Sequence, residues 1–505
     1  MVSRLVSAAV IGLQTATVQV EVDLRPGLPA FAVVGLPDAA VQESRERVRS
    51  GIVNQAFAVP ARRIVANLAP ADLRKSGPQY DLPMALAILA ASGQLPAEAV
   101  RGVGAAGELA LDGALRPVPG ILAMAEHASR SGWRRLVVPA AAAAEARLAG
   151  GDCEVVAATS LRHAADLLTG RVEPGPPQDL PQPEPGPAGP DLADVRGQHA
   201  ARRALEIAAA GAHSLLMIGP PGAGKTMLAR RLPGILPPLS REEAVAITRI
   251  HSVAGLLDPG HPLVSRRPFR APHHSISVSG LVGGGRFPRP GELTLAHLGV
   301  LFLDEVCAFA PSVLDALRQP LEHGVVDVAR AMTTVRFPAR PLLICAGNPC
   351  PCGFDGDPEG RCVCPPGRAE AYRARLSGPV ADRIDLRIDV PRLGRDELLG
   401  EGAAEASAAV AERVRAARTA AETRGQEVPN ARLGPEAVRA AAALDRAGTR
   451  LMGRAVDRLG LTARGFDRVL RVGRTVADLA GAERVGEDHL LEAIGLRAPA
   501  ATEGP

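Results

Sequence analysis

Polar and apolar residues alternate over Ala16–Leu24 and again over Ala30–Val34, the two-residue period of half-buried strands. Ala39–Ile52, Leu82–Ser92 and Ile121–Ser131 switch to helical spacing, so the first part of the chain reads as α/β or α+β. Farther on, a helical stretch at Ala200–Ala210 precedes the unbroken apolar runs Ser214–Ile218, Val300–Leu303 and Pro341–Ala346. Such runs are the pattern of strands covered on both faces. After about Pro391 the strand signal ends. Residues 404–497 are rich in Ala and Arg, with apolar positions at helical spacing, and predict a helical C-terminal unit. No fixed-period repeat interrupts this order.

One segment has neither pattern. Pro174–Pro190 holds eight prolines in 17 residues, with Gly, Gln, Asp and Glu between them, and predicts a semi-extended spacer. The expected units are therefore 1–170, a linker at 171–190, an α/β core at 191–390 and a helical unit at 391–505.

Composition narrows the class without naming a function. The 505 residues are 47% hydrophobic and 22% charged, ordinary globular values that exclude a disordered or fibrous chain. A net charge of +4 excludes a polybasic tail or membrane patch, although local basic surfaces remain open. Every run of 18 or more residues is broken by charge, Gly or Pro, so no membrane-spanning helix is predicted. Leu5–Leu13 resembles a short signal-peptide core, but Thr17–Val22 continues as a strand and no clear cleavage site follows. Seven cysteines without an export signal fit a reducing cytoplasm. Basic groups are almost all arginine; the chain has two lysines, Lys75 and Lys225.

Lys225 falls in a motif. Gly219-Pro220-Pro221-Gly222-Ala223-Gly224-Lys225-Thr226 matches G-x4-GK[ST] between an apolar run and the helical stretch Met227–Leu232. Glycines let backbone N–H groups converge on phosphates, and the following helix N-terminus adds partial positive charge. Lys225 is expected to hold the β- and γ-phosphates of a nucleoside triphosphate, and the Thr226 hydroxyl to ligate Mg²⁺. The run Val300–Leu303 ends in Asp304-Glu305. Adjacent carboxylates repel unless a cation or proton is shared. Asp304 is thus expected to hold Mg²⁺ through water and Glu305 to polarise the attacking water. The third strand ends at Asn348, which orients the same water or is a turn residue before Pro349.

Together these segments resemble an AAA+ ATPase. More specifically, Phe269-Arg-Ala-Pro-His-His-Ser275, Gly283-Gly-Gly285, Pro290-Gly-Glu-Leu293 and Leu298-Gly-Val-Leu-Phe-Leu-Asp-Glu305 resemble the magnesium-chelatase-related ComM (YifB) family. Ser377-Gly-Pro-Val-Ala-Asp-Arg-Ile-Asp385 and Leu461-Thr-Ala-Arg-Gly-Phe-Asp-Arg-Val-Leu-Arg471 extend the likeness, which covers nearly the whole chain. The resemblance implies a ring, expected to be hexameric, with ATP at subunit interfaces. It implies that Arg383 is the arginine finger for a neighbour's γ-phosphate and Arg464 the sensor arginine that the helical lid lays over the nucleotide. Without the family, either arginine reads as a surface or ion-pair residue. Between Glu322 and Pro338 the pattern alternates as two strands around Arg330; it resembles the pre-sensor hairpin of AAA+ DNA motors, with a plain surface hairpin as the other reading. His273 and His274 read as a structural loop, because no carboxylate follows at HExxH spacing.

Cys350-Pro-Cys352 and Cys362-Val-Cys364 form C-x-C…x9…C-x-C in a loop over 350–364. Four thiolates at short spacing fit a structural Zn²⁺, although the pairs are tighter than usual knuckles, and reduced, non-ligating cysteines remain the other reading. Cys153, Cys307 and Cys345 read as isolated buried residues.

The N-terminal segments Lys75-Ser-Gly-Pro-Gln-Tyr-Asp-Leu-Pro83, Gly107-Glu-Leu-Ala-Leu-Asp-Gly113 and Arg116-Pro-Val-Pro-Gly120 resemble the Lon protease domain, a ribosomal-S5-like (S5 D2-type) fold. Gln79 stands where that pattern wants serine and Leu122 where it wants lysine. Without nucleophile or base there is no agent for acyl chemistry, so a binding or assembly module is expected rather than a peptidase.

The expected fold is thus multidomain α/β: a Lon-protease-like domain, an AAA+ P-loop core and an all-α lid. The expected activity is ATP hydrolysis driving translocation on single-stranded or branched DNA, as a branch-migration helicase in recombination or natural transformation. Arg450–Arg474, with seven arginines against two aspartates, is a candidate phosphate contact or a solvated helical face. The rival expectations are a chelatase-type motor subunit and an ATP-driven remodeller of protein partners.

Overall fold

The structure, a computed structural model, describes residues 2–175, 189–258, 260–285, 288–330, 333–357, 359–376, 383–395, 397 and 404–497. The expected linker lies outside the described residues except at its ends, as does Ser377–Asp382 of the family motif.

The N-terminal unit is built on a mixed seven-stranded sheet in the order Ala30–Val34, Arg63–Ala69, Gln14–Arg25, Val2–Ile11, Val103–Ala105, Arg135–Pro139, Glu154–Ala158. Val2–Ile11 pairs with Gln14–Arg25 in antiparallel register from Val2↔Asp23 to Ile11↔Gln14. The stretch that resembles a signal core is therefore an inner strand. The alternation over Ala16–Leu24 is real in the paired strand: Val18, Val20 and Val22 are fully buried, while Gln19 is exposed. Helix Asp81–Ala91 is buried along its whole length, which is why its sequence is apolar all round rather than amphipathic.

The nucleotide-motif unit carries a five-stranded sheet in the order Phe269–Arg270, Val300–Leu303, Leu342–Gly347, Leu215–Ile218, Leu386–Asp389, every pair parallel. The three inner strands are buried at every position, as their unbroken apolar runs require. Loops that leave the C-terminal ends of adjacent parallel strands are where α/β sheets gather ligands.

Residues 404–497 contribute helices Ser407–Thr423, Pro435–Ala442, Arg446–Leu459, Ala463–Leu479 and Glu487–Gly495. One apolar cluster runs from these helices (Val414, Val438, Val469) through helix His199–Gly211 to the sheet residues Leu215, Phe302 and Ile344. The helical segment and the sheet thus share a core.

The N-terminal unit also packs directly on the nucleotide-motif unit. Leu122 and Leu148 lie in one cluster with Leu239, Ala244, Ile247 and Leu263. Gly120 N–H donates to the Ser252 carbonyl at 3.1 Å, and Arg249 pairs with Glu126 at 3.1 Å. A second contact joins the tip of the first hairpin, Ile11 and Leu13, to the cluster containing Val335 and Phe337. A Cβ on Gly12, whose φ is +61°, would come within 2.1 Å of Val335 Cγ1. Leu122 is fully buried in the first junction, in the place the protease pattern gives to lysine. Gln79 is buried as well, and the buried Lys75 ammonium donates to the Pro70 carbonyl.

Candidate active site

Gly219–Thr226 follows strand Leu215–Ile218 and opens helix Lys225–Arg231. Gly222 and Gly224 take φ of +77° and +90°, left-handed conformations that a side chain resists. At Gly219 the reason for glycine is contact. A Cβ there would lie 2.1 Å from the Val390 carbonyl oxygen.

Lys225 is 8% exposed, and its Nζ donates to the carbonyls of Gly219 at 2.6 Å and Pro220 at 2.9 Å, and to Asn348 Oδ1 at 3.2 Å. Burial lowers its pKa from the ordinary lysine value, while Asp304 and Glu305 pull in the opposite direction. The Thr226 hydroxyl donates to Asp304 Oδ2 at 2.7 Å. Lys225, Thr226, Asp304 and Asn348 therefore meet in one place, at the ends of three adjacent strands. The hydroxyl and carboxylate pair is an all-oxygen donor set of the kind Mg²⁺ takes.

Glu305 stands at the edge of this group with φ of +50°, a left-handed backbone that costs a non-glycine residue roughly 1–2 kcal/mol. Its N–H donates to Asp304 Oδ1 at 2.9 Å, and its half-exposed carboxylate lies 3.6 Å from His274 Nδ1. The histidine pair expected to be only a structural loop thus reaches the site through His274. The sequence signal was the adjacency His273-His274, which carries no pointer to Glu305. A second unforeseen residue is Gln198, 7% exposed, whose Nε2 donates to the Pro391 carbonyl at 2.7 Å and Ala223 carbonyl at 3.4 Å. It ties the phosphate loop to the segment following the last strand.

The two expected arginines belong to a different group. Arg383 Nη2 donates to Glu322 Oε2 at 2.7 Å. Arg383, first by hydrogen bond and then by charge, holds the Glu322 carboxyl below its ordinary range, and the Arg464 charge adds to the effect. Glu322 was not anticipated, because its partner is 61 residues away.

The expected hairpin is present as Val325–Arg330 paired antiparallel with Thr333–Pro338. Ala331 and Met332 at its tip, and the Arg330 side chain, lie outside the described residues. The arginine-rich run divides. Arg474 is fully buried, donating to Asp478 Oδ1 at 3.1 Å and the Glu483 carbonyl at 2.8 Å. Arg471 donates to the Leu433 carbonyl at 2.9 Å, and Arg468 stands 3.8 Å from Asp385. Arg450, Arg454 and Arg458 are exposed at four-residue spacing on helix Arg446–Leu459, where positions four apart share a face.

Cys350, Cys352, Cys362 and Cys364 converge, with all four sulfurs within 4.8 Å of one another. Cys307 and Cys345 are buried as expected, but Cys153 is only half-buried. No helix among the described residues is long and apolar enough to cross a membrane.

The chain matches the family described as magnesium chelatase, subunit ChlI, over residues 191–398. Residues 20–142 match a second ChlI family description, and residues 404–497 match its C-terminal one. The YifB protein of Salmonella typhimurium is 44% identical over 495 residues, covering 97% of this chain and 96% of its own. The competence protein ComM of Haemophilus influenzae is 42% identical over 497 residues, covering 97% and 96%. A magnesium-chelatase 38 kDa subunit from Cereibacter sphaeroides is 25% identical over 172 residues, 31% of this chain and 51% of that one. End-to-end likeness of this extent makes the chain a member of the magnesium-chelatase-related ComM/YifB family.

Proposed function

We propose that the chain is a ring-forming AAA+ ATPase that hydrolyses ATP to move along DNA. The observation that carries the ATPase reading is the convergence of two hydrogen-bonded pairs, Lys225 with Asn348 and Thr226 with Asp304, at the ends of adjacent strands. Lys225 exchanges its loop carbonyls for phosphate oxygens when ATP enters. Thr226, and Asp304 through water, would hold Mg²⁺, which would supply charge neutralisation on the phosphates. Glu305, whose exposed carboxylate follows a left-handed backbone, would polarise the attacking water by accepting its proton in a hydrogen bond, and Asn348 would orient that water. His274 holds the Glu305 carboxylate in place.

Arg383 and Arg464, gathered around Glu322, act on this reading across a subunit interface. A neighbour's phosphate would draw Arg383 away from Glu322, and the ring is hexameric. DNA as the track is supported by three things: the Val325–Pro338 hairpin, the exposed arginines of helix Arg446–Leu459, and a relative named for competence. Branch migration in the cytoplasm, during recombination or uptake of transforming DNA, is the corresponding role. The same reading includes a structural Zn²⁺ on the four converging thiolates.

ATP turnover measured with and without single-stranded and branched DNA tests the proposal. Stimulation by DNA supports it. Turnover that no DNA alters, together with no DNA binding at low salt, overturns the DNA half and leaves the ATPase half standing. The match to a magnesium-chelatase subunit favours a second reading, a chelatase-type motor, which predicts stimulation by porphyrin-binding partners instead. Stimulation by a protein substrate alone would point to a remodeller of protein partners.

A further inference from the structure

The loop from Cys350 to Cys364 contains no helix or strand among its described residues. Irregular segments of this length inside a compact unit need something to hold them. Its sulfurs are the candidates. Cys350 Sγ lies 3.3 Å from Cys352 Sγ and 3.8 Å from Cys362 Sγ, and Cys352 and Cys362 are 3.6 Å apart. These separations are far beyond the roughly 2.05 Å of a disulfide. They are close to the edge of a tetrahedron with arms of about 2.3 Å, which is about 3.8 Å. Backbone amides already point at the sulfurs: Asp355 N–H at Cys350, at 3.3 Å, and those of Phe354 and Val363 at Cys352. Amide donors of this kind orient thiolate ligands and offset their charge. A four-thiolate set selects Zn²⁺ over Mg²⁺.

The loop is also wedged into the nucleotide site. Cys350 follows Asn348 by two residues. Gly353, with φ of +87°, sits so close to the phosphate loop that a Cβ would fall 2.4 Å from Pro221 Cδ. Phe354 lies under two guanidiniums, Arg361 at 5.1 Å and Arg392 at 5.3 Å, and Arg392 Nη2 reaches the Pro221 carbonyl at 3.5 Å. Asp355 pairs with Arg373 on the helix Arg368–Ala374.

We infer that the four thiolates hold one Zn²⁺ that acts as a clamp, fixing Asn348 and the phosphate loop relative to each other. The inference rests on the ATPase reading only for its catalytic consequence. Zinc binding closes the loop, the closed loop presses Gly353 and Phe354 against Pro221 and Arg392, and Asn348 is held where Lys225 finds it. Asn348 is thereby a residue whose position is set by a metal it does not touch.

The test uses the full chain, as purified, after zinc removal with a thiol-selective chelator, and after zinc is returned. Metal analysis should find one Zn²⁺ per chain in the purified protein. Amide hydrogen exchange should speed up by about ten-fold or more over 219–226 and 347–349 after stripping, and recover with Zn²⁺ but not Mg²⁺. Turnover should fall by about ten-fold while nucleotide affinity stays within about three-fold, the split expected when water positioning is lost. Cys362→Ser should reproduce the stripped state. Gly353→Ala, which keeps every thiolate, should keep its zinc yet show the same faster exchange at 219–226. Absence of stoichiometric zinc overturns the inference. So does stripped protein whose exchange at both segments equals that of the loaded protein. A zinc-loaded chain that hydrolyses no ATP overturns the proposed function, and the exchange measurement then decides the clamp by itself.

Discussion

Adding one methyl group at Gly219 tests whether the phosphate loop is where its contacts place it. The Cβ of a Gly219→Ala variant would lie 2.1 Å from the Val390 carbonyl oxygen, against an ordinary contact of at least 3.4 Å. The loop or the strand end must therefore give way by about 1.3 Å. Neither side is free. Val390 N–H is bound to the Ile218 carbonyl at 2.7 Å, and Gly219 N–H to the Gly347 carbonyl at 3.1 Å. The obstacle is backbone, not the end of a flexible side chain. Overpacking of this kind costs about 1–3 kcal/mol of stability, which a chain with three large cores survives. The catalytic cost is the larger effect, because a displacement of about 1 Å between reacting groups loses about 100-fold in rate. Steady-state ATP turnover and a thermal melt on the same preparation provide the assay. The expected result is a folded protein, a few degrees less stable, with kcat/KM down about 100-fold, equivalent to about 2.7 kcal/mol. A variant that melts with the wild type and turns over within about three-fold of it would refute the account of the loop.

Arg383→Ala should abolish turnover while ATP binding persists; a calorimetric affinity unchanged from wild type with turnover also unchanged rejects the finger role. Charge reversal of Arg450, Arg454 and Arg458 to Glu should weaken DNA binding across all sequences and flatten its salt dependence by about one slope unit per lost phosphate contact. Equal affinity in a salt titration would assign that helix face elsewhere. His297 is buried, and desolvation, with the Arg340 charge next, lowers its pKa from 6.5 to about 4. The unfolded chain therefore binds a proton that the folded one refuses between pH 6.5 and 4. Stability should fall as pH drops through that window, by about 3 kcal/mol in all, and be flat in this contribution on either side. His297→Asn keeps an acceptor for Arg340 N–H, which His297 Nδ1 now receives at 3.1 Å. Denaturant midpoints measured from pH 7 to pH 4 should lose that slope in the variant, and a slope identical to wild type would refute the assignment.

The legible features are those whose physics is local. A strand buried on both faces must be apolar throughout, so Leu215–Ile218, Val300–Leu303 and Leu342–Gly347 announce themselves, along with the residues at their ends. The phosphate loop is legible because its glycines and lysine are adjacent in the chain. Glu322, His274 and Gln198 are not legible, since each acquires meaning only from a partner that folding brings from far away. The arginines of 450–474 show the same limit from the other side. Composition sees seven equal charges, whereas packing buries Arg474 against Asp478 and leaves Arg450, Arg454 and Arg458 in water. Leu122 reads as a missing lysine, and only the fold reveals that its position is a hydrophobic joint between two units.

The seat of the first hairpin has a mechanical consequence. Gly12, at the turn between Ile11 and Leu13, abuts Val335 and Phe337 of the Val325–Pro338 hairpin, with no room for a methyl group. A movement of that hairpin relative to the first seven-stranded sheet would have to disturb this apolar seat. Were the proposed ATP cycle to tilt the hairpin, it would have to carry the N-terminal unit along or shear an apolar joint, so that unit would set the stiffness the hairpin works against. On that proposal, Leu13→Ala would loosen the hairpin's coupling to the N-terminal unit while leaving the nucleotide site untouched.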